Sequence, residues 1–403
     1  MTNSRRVLTA ISISLSLMAI IVVGWEMKAR AANDQTAPAG KLFSSGRASW
    51  KTPAAAQNAQ KEKTIGEVQK NIKVLNDLPA SQLIPMMNLM AASLGVKCNY
   101  CHVQKNGQWE YPNDERPEKG TAREMIAMTM NINKTTFKGS TEVSCFTCHR
   151  GRTHPQSLLE LPILEPTPRP AQAPATAAPM PAQPTSDDIL KKYTEAVGGQ
   201  AAIDKLKTRT MKGTYTLLSG ATGNYEVTQV APDKFYVLRT SPQGTAEQAF
   251  NGSEGWTKDG RGVNDIRPDQ LADLKSEYQF FKDFNLKEQY TRMNIRRDKI
   301  NGRDVFALTG TRPDKRRERL FFDAETGLLV RRMGYTDTPL GIVPDQVDYE
   351  DYRDIDGVKV PFTVKVSVVG GFSTAVRKFS EIKFNVPVAD SRFARPAAAP
   401  SKP

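Results

Sequence analysis

Two stretches of the 403-residue chain, VKCNYCHVQ at residues 96–104 and VSCFTCHRG at residues 143–151, contain all four of its cysteines and two of its three histidines. Each stretch has the pattern Cys-x-x-Cys-His. Paired cysteines of this spacing occur in zinc centres, in redox-active dithiols and at covalent haem attachment sites. The cysteine pattern therefore indicates one of three chemistries, which the neighbouring residues must distinguish.

The histidine that directly follows each second cysteine favours haem attachment. In that chemistry the two thiols form thioether bonds with the haem vinyl groups, and the adjacent imidazole binds the iron. A zinc site or a disulfide has no need of a histidine at this position in both motifs, so these two remain as the alternatives. We predict two covalently bound haem c groups, held by four thiols and two imidazoles: Cys98, Cys101, Cys145, Cys148, His102 and His149.

Methionine is the candidate for the second axial ligand of each iron. The remaining histidine, His154, lies beside a proline at the start of a proline-rich segment and is interpreted as a solvated loop residue. Methionines on helices usually fill a core, but a helix packed against the haem would bring a thioether to the iron and raise its reduction potential. Two clusters lie upstream of the two motifs: Met86, Met87 and Met90, and Met125, Met128 and Met130.

The segments LPASQLIPMMNLMAASLGVKCNYCHV and KGTAREMIAMTMNINKTTFKGSTEVSCFTCHRG resemble the cytochrome c subunit of photosynthetic reaction centres, over about residues 65–155. In that family a helix supplies a methionine ligand, a turn follows, and Cys-x-x-Cys-His comes next. The resemblance implies that Met87 and Met125 are the axial methionines. The family typically carries four haems, whereas this chain has cysteines for two, and no histidine shortly precedes Cys145.

Four other residues near the motifs are weaker candidates. Trp109 and Tyr111 are expected either to pack on the first porphyrin or to occupy ordinary loop positions. Arg123 and Arg150 are expected either to pair with haem propionates, whose carboxylates suit a guanidinium, or to be solvated.

The N-terminus has the features of an export signal. Arg5 and Arg6 precede a mostly apolar run at residues 7–25, and Ala29-Arg30-Ala31 follows as a small-x-small cleavage site. The run is also long enough to begin to span a bilayer, so residues 1–31 are either a signal peptide or an N-terminal anchor in the inner membrane. We predict a periplasmic protein, in which a net charge of +13 suits an acidic protein or anionic headgroups rather than nucleic acid.

Composition divides the rest of the chain. Residues 32–63 are expected to form a flexible tether, and the Pro/Ala-rich residues 162–185 a linker. Residues 64–161 are predicted to be an all-α c-type diheme cytochrome domain. Its expected helices cover an apolar stripe at 65–75, the segment of about 80–94 that ends at Gly95, and 121–133, where Thr121 and Glu124 have the spacing of a capping box.

Residues 186–395 are predicted to be an α+β domain, followed by a disordered tail at 396–403. A helix starts with Thr185 and Asp188 at capping-box spacing, and another starts at Pro268. Between and after them, alternating β-branched and aromatic segments with turns such as Asn301-Gly302 predict a curved antiparallel half-barrel packed on one or two helices. This order weakly resembles the lipoprotein-sorting carrier-like fold, which implies room for an acyl chain or another apolar ligand.

The predicted function is one-electron transfer by an exported diheme cytochrome, without substrate chemistry of its own, to redox partner proteins in a membrane-bound complex. Residues 186–395 contain no histidine or cysteine, so a soft-ligand metal site or a Cys or His nucleophile is not available there. Two rivals remain. A haem enzyme of the peroxidase or reductase type requires one iron with an exchangeable position, and a carrier of lipid or another apolar ligand would use the C-terminal domain.

Overall fold

The computed structural model describes residues 62–158 and 183–397, with gaps at 261, 267, 314–315 and 371–373. The expected signal or anchor segment with its apolar run at 7–25, the tether up to residue 61, most of the linker and the last six residues lie outside the described residues. Within the ranges described, no helix is both long and apolar enough to cross a bilayer.

Residues 62–158, here called the helical part, contain four helices and one small hairpin. The elements are α1 (Ile65–Val68), α2 (Leu83–Leu94), β1 (Val103–Lys105), β2 (Gln108–Glu110), α3 (Pro117–Thr135) and α4 (Cys145–His149), with 3-10 turns at Ala80–Gln82 and Cys98–Tyr100. The hairpin turns at Asn106-Gly107, where both φ angles are positive (50° and 77°), as a type I′ turn requires. The helical part is therefore mainly, but not entirely, α-helical, and Asn-Gly was the sequence signal for its hairpin.

Two predicted helices have different bounds in the structure. The helix expected over 65–75 ends at Val68, because Gln69 is extended and Asn71 has a positive φ of 58°. The helix expected from Thr121 begins four residues earlier, at Pro117. Thr121 and Glu124 therefore lie inside the helix and do not form the predicted capping box. A proline in the first turn of a helix is favourable, because its missing N–H would have no helical partner there. In contrast, α2 ends at Gly95 as predicted, with a left-handed φ of 70°.

Residues 183–397, here called the sheet part, form a 13-stranded antiparallel open sheet with three helices, which confirms the predicted sheet. The helices are α5 (Ser186–Ala196), α6 (Gln200–Ile203) and α7 (Pro268–Tyr278), with 3-10 turns at Lys287–Gln289 and Asp390–Phe393. The strands are β3 (Thr208–Leu217), β4 (Thr222–Val230), β5 (Lys234–Ser241), β6 (Gly244–Phe250), β7 (Gly255–Asp259), β8 (Gly262–Asp265), β9 (Arg292–Ile300), β10 (Arg303–Thr311), β11 (Arg317–Asp323), β12 (Leu329–Thr338), β13 (Gly341–Ile355), β14 (Val358–Val368) and β15 (Ala375–Phe384).

The strand order is β8-β7-β6-β5-β4-β3-β15-β14-β13-β12-β11-β10-β9, so two meanders join where β3 pairs with β15. The predicted turn at Asn301-Gly302 connects β9 to β10, with φ angles of 51° and 81°. The predicted capping box of Thr185 and Asp188 also forms at the start of α5. Local signals of this kind hold here because turn and cap preferences depend on neighbouring residues alone.

One face of the sheet packs on α5, α7 and the loop that follows α7. Gln229 on β4 donates to the carbonyl of Tyr278 at 2.6 Å, while Arg332 on β12 and Tyr349 on β13 both donate to Asp283 at 3.3 Å. The α7 segment thus connects the two meanders, and one apolar core takes residues from both of them. Large side chains fill this core, among them Phe235, Phe250, Phe280, Phe322 and Tyr225.

The turn between β12 and β13 extends from the sheet into the helical part. Leu340, at the tip of this turn, is 0% exposed and belongs to the same apolar cluster as Ile65, Met86 and Leu89. Val343 on β13 packs against that cluster as well. The helical part therefore shares a core with a residue that lies far away in the sequence.

Candidate functional site

Each Cys-x-x-Cys-His motif forms one helical turn. In the first, the N–H of His102 donates to the carbonyl of Cys98 at 2.9 Å, and the second coincides with α4, Cys145–His149. Residues i, i+3 and i+4 share a face of such a turn. The local structure therefore places two thiols and one imidazole on the same side, which is the arrangement that covalent haem attachment requires.

The imidazole of His102 lies against the hairpin of β1 and β2. Its ring meets Tyr111 edge-on at 5.2 Å, and Tyr111 in turn stacks on Trp109 at 5.7 Å and 7°. Burial, together with the positive charge of Lys119, lowers the pKa of His102. Neutral imidazole is the form that binds a metal. Tyr111 thus contacts the histidine directly, and Trp109 packs behind Tyr111.

The chain after the hairpin is held to α3 by a cluster of charged groups. Both terminal nitrogens of Arg123 donate to the carboxylate of Asp114 at 3.0 Å, and one of them also reaches the carbonyl of Asn71 at 3.2 Å. Lys119 donates to the carbonyls of Tyr111 and Asn113 at 2.7 and 2.8 Å. Hydrogen bonds from Arg123 hold the pKa of Asp114 well below its usual range. Arg123 is therefore engaged within the protein, whereas Arg150 is exposed.

The second motif is held in place by backbone and side-chain hydrogen bonds. The N–H of Ser144 donates to Oγ1 of Thr147 at 3.0 Å, which fixes the start of α4. Nδ1 of His149 lies 3.0 Å from the carbonyl oxygen of Arg152. When Nδ1 carries the proton and donates it to this carbonyl, Nε2 is left free as a ligand atom, as in other metal-bound histidines.

Asn133, near the end of α3, is a supporting residue that sequence reasoning missed. Its side chain is 5% exposed, accepts from the N–H groups of Glu142 and Val143, and donates to the carbonyl of Val143 at 2.7 Å. It thereby attaches the segment before Cys145 to the helix that carries Met125. No local pattern identifies this role, because the partners lie about ten residues away across a loop.

Two glycines bring the motifs together. The N–H of Gly151, just after the second motif, donates to the carbonyl of Ser93 on α2 at 2.7 Å. A Cβ on Gly95, just before the first motif, would lie 2.2 Å from the carbonyl oxygen of Gly151. The backbone segments beside the two motifs are therefore in direct contact, so each motif is positioned relative to the other.

Burial separates the methionines of each cluster. Met86 is 0% exposed within the apolar core, and Met90 and Met130 pack against that core. Met87 is half-buried, whereas Met125 and Met128 on α3 are 37% and 45% exposed. Met87 and Met125, the two methionines implied by the family resemblance, thus keep their thioethers outside the core, and Met128 shares that property.

The helical part also has an unusually apolar surface. Most of the large hydrophobic side chains that are exposed in the described ranges belong to it: Val68, Ile84, Tyr111, Met125, Met128, Phe137, Phe146 and Leu158. In addition, Nδ1 of His102 is buried without a hydrogen-bond partner among the described residues. Phe146, inside the second motif, is one of these exposed side chains, so that motif offers apolar surface that a haem would cover.

Two of the four thiols, those of Cys101 and Cys145, differ from the reactive thiols of a dithiol oxidoreductase. None of the four cysteines forms a disulfide. Burial raises the pKa of Cys101, and the negative charge of Glu118 raises it further; burial also raises the pKa of Cys145. Redox-active cysteines instead have lowered pKa values. Within the described ranges, no group of three or more Cys, His, Asp and Glu side chains is placed to hold a metal ion.

His154, the third histidine, is exposed, and its ring nitrogen Nδ1 lies 3.2 Å from the hydroxyl of Thr153. This position agrees with the solvated loop residue that the sequence predicts. The two motif histidines, His102 and His149, are half-buried, in contrast to His154.

Solved structures show a limited likeness to the sheet part. A DUF1329 family protein from Desulfovibrio piger matches 52% of this chain and 96% of its own, at 13% identity and a TM-score of 0.39. A LolA superfamily protein from Nitrosomonas europaea matches 53% of this chain and 99% of its own, at 15% identity and a TM-score of 0.35.

The helical part has relatives of known name. The cytochrome c subunit of Rubrivivax gelatinosus photosynthetic reaction centres is 30% identical over 113 residues, which are 27% of this chain and 28% of that protein. The same subunit from Roseobacter denitrificans is 32% identical over 105 residues, which are 24% of this chain and 28% of that protein. The chain thus matches 28% of the length of each relative. Residues 27–179 match the family model of the photosynthetic reaction centre cytochrome c subunit, so this segment of the chain is related to that family.

Proposed function

We propose that this protein is an exported diheme c-type cytochrome that transfers electrons one at a time. The observation that carries the proposal is that both Cys-x-x-Cys-His motifs form single helical turns within a segment that matches a cytochrome family. Bound haem supplies an iron that alternates between Fe(III) and Fe(II). The residues of the chain attach it, orient it and keep water away from it.

The roles of the side chains follow from their positions. Cys98 and Cys101, and likewise Cys145 and Cys148, are proposed to form the thioether bonds. His102, whose pKa is lowered by burial, and His149, whose Nδ1 lies 3.0 Å from the carbonyl oxygen of Arg152, would each bind the iron of the haem at their motif. Met87 and Met125 would supply the second protein ligands. Thioether ligation favours Fe(II) and raises the reduction potential, which suits an electron acceptor.

The proposed location is the periplasm, with residues 7–25 as either an anchor in the inner membrane or part of a cleaved signal. The proposed partners are redox proteins of a membrane-bound complex. A net charge of +13 supports association with an acidic surface, since complementary charge accelerates encounter. A carrier of lipid or another apolar ligand, with the sheet part as its binding domain, stays the second candidate function.

The first test is the number of haems per chain. Protein expressed with a cytochrome c maturation system should contain two covalently bound haems, measured as the pyridine haemochrome against absolute protein concentration. The double variant Cys98→Ala/Cys101→Ala should retain one haem, and so should Cys145→Ala/Cys148→Ala. Colourless protein, or protein with stoichiometric zinc, would overturn the proposal.

The haem-enzyme rival is tested by exogenous ligands. If both irons have six protein and porphyrin ligands, spectra at neutral pH should not change when carbon monoxide is added to the reduced protein or cyanide to the oxidised protein. Binding of either ligand to one haem would indicate an exchangeable position and would favour the peroxidase or reductase type.

A further inference from the structure

The turn between β12 and β13, residues 338–341, packs as part of the helical core. Leu340 is 0% exposed among Ile65, Leu75, Met86, Leu89 and Ile126, all of which belong to the helical part. The hydroxyl of Thr338 donates to the carbonyl of Gly341 at 2.7 Å and closes the turn. The side chain that completes this core thus comes from the sheet part.

The backbone of the turn touches both haem-binding segments. A Cβ on Gly341 would lie 3.0 Å from Cδ2 of Leu89 on α2 and 2.8 Å from Cβ of Ser144, the residue before Cys145. The turn therefore lies between α2, which carries Met87 and leads to the first motif, and the beginning of α4, which is the second motif. The absence of a side chain at Gly341 permits this close approach.

A second contact from the sheet part reaches the same helix. Gly370, between β14 and β15, lies so close to Asn88 that a Cβ would be 2.8 Å from its Cγ. Asn88 is the neighbour of Met87 along the chain. Helix α2 is therefore contacted by the sheet part at two points, Asn88 and Leu89, both directly after the proposed iron ligand in the chain.

We propose that the Thr338–Gly341 turn is a positioning element for the haem sites, with Leu340 as its key residue, and that it sets the placement of the Met87 thioether. This inference rests on the proposed function. Protein cores are close-packed, so removal of a buried leucine leaves a cavity into which neighbouring helices shift. A metal ligand must be held within a fraction of an ångström by the residues behind it. The sheet part thereby controls haem ligation without touching the iron.

The test uses the full-length, haem-loaded protein with Leu340→Ala. The sulfur-to-iron charge-transfer band near the red end of the oxidised spectrum should lose about half of its intensity, because one of two methionine–iron bonds is lost or weakened. The potential of that haem should fall. Spectra are to be recorded well below the unfolding temperature of each variant, and haem content should remain two per chain.

Two further variants separate positioning from stability. Leu340→Met keeps the volume and apolar character of the side chain and should retain the full band. Ile342→Ala, which alters a residue of the next strand that is 43% exposed, is the matched control and should leave both band and potential unchanged. If Leu340→Ala proves too unstable to load with haem, the smaller truncation Leu340→Val should show the same change to a lesser degree.

Unchanged band and potential in a folded Leu340→Ala protein with lowered thermal stability would overturn this inference and leave a merely structural role. That result is distinct from failure of the proposed function, which would appear as wild-type protein without haem. Equal loss of the band in Ile342→Ala would likewise contradict a specific role for Leu340.

Discussion

Methionine shows at the scale of single residues how burial distinguishes chemically identical candidates. Two clusters of three methionines each lie upstream of the two motifs, and spacing alone cannot rank the members of a cluster. The structure assigns Met86 to the core and packs Met90 and Met130 against it, while Met87 is half-buried and Met125 is 37% exposed. A fully buried thioether is not available to a bound group, so burial excludes Met86 as a ligand candidate.

The proposed methionine ligands are tested by separate replacements. Met87→Leu and Met125→Leu should each remove about half of the sulfur-to-iron band and lower the potential of one haem, because leucine has no ligand atom. Met90→Leu and Met128→Leu are the matched controls, one for each helix, and should retain the band. Should the band persist in Met87→Leu or Met125→Leu, the ligand role would pass to Met90 or Met128, respectively.

At the scale of elements, the end of α2 is determined by a contact as well as by a cap. Gly95 has the left-handed φ of 70° that ends many helices, which sequence alone suggests. Its closeness to the carbonyl of Gly151 is a separate requirement that comes from the folded chain. The same glycine therefore ends the helix and allows the two motif segments to meet.

Two alanine substitutions distinguish these requirements. Gly107→Ala places a Cβ in open space at a φ of 77°. Its free energy of unfolding should therefore fall only by the cost of a left-handed backbone, about 1 to 2 kcal/mol. Gly95→Ala has similar strain at 70° and also a collision with backbone, so its free energy of unfolding should fall by more than about 3 kcal/mol. Urea denaturation followed by circular dichroism gives both values. Equal losses in the two variants would show that the contact with Gly151 adds nothing.

At the scale of the whole molecule, the sheet part encloses charged groups that make its stability depend on pH. Burial would by itself raise the pKa of Glu318, but the charges of Arg332 and Arg312 and a hydrogen bond from Tyr290 outweigh it and lower the pKa to about 2. Arg312 lies 2.6 Å from this carboxylate, and both side chains are nearly buried. The charged form of Glu318 is thus strongly favoured by the fold.

Acid should therefore destabilise the protein in a defined range. A carboxyl group whose pKa falls from 4.5 unfolded to about 2 folded stabilises the native state above pH 4.5, and loses that contribution as the pH falls towards 2. The contribution is on the order of 3 kcal/mol at neutral pH. Glu318→Gln should lower stability at pH 7 and flatten its decline between pH 5 and 2.

Urea denaturation at pH 7, 5 and 3 measures this effect. Glu254→Gln, at an exposed turn position, is the control and should leave the pH dependence unchanged. A Glu318→Gln protein with the same acid-induced loss as the wild type would contradict the assignment.

The sequence by itself determined the features that depend on neighbouring residues. The motifs Cys-x-x-Cys-His, the capping box at Thr185, the helix end at Gly95 and the turn at Asn301-Gly302 all follow from local preferences, and the alternating strands predicted the antiparallel sheet. Two helix bounds were predicted wrongly: α3 begins at Pro117 and not at Thr121, and α1 ends at Val68 and not near Leu75. Apolar periodicity does not show where the backbone must turn.

Only the tertiary structure decided which distant groups meet. It placed Leu340 of the sheet part in the core around α2, set Tyr111 against His102, and attached Asn133 to the segment before Cys145. The physical reason is that packing depends on the shapes of the surfaces that helices and strands present once they have formed. Leucine, isoleucine and methionine give the same apolar pattern in a sequence, but they do not fill the same space in a core. The residue types of each motif are therefore determined by a short stretch of sequence, whereas the position of each motif depends on contacts with distant segments.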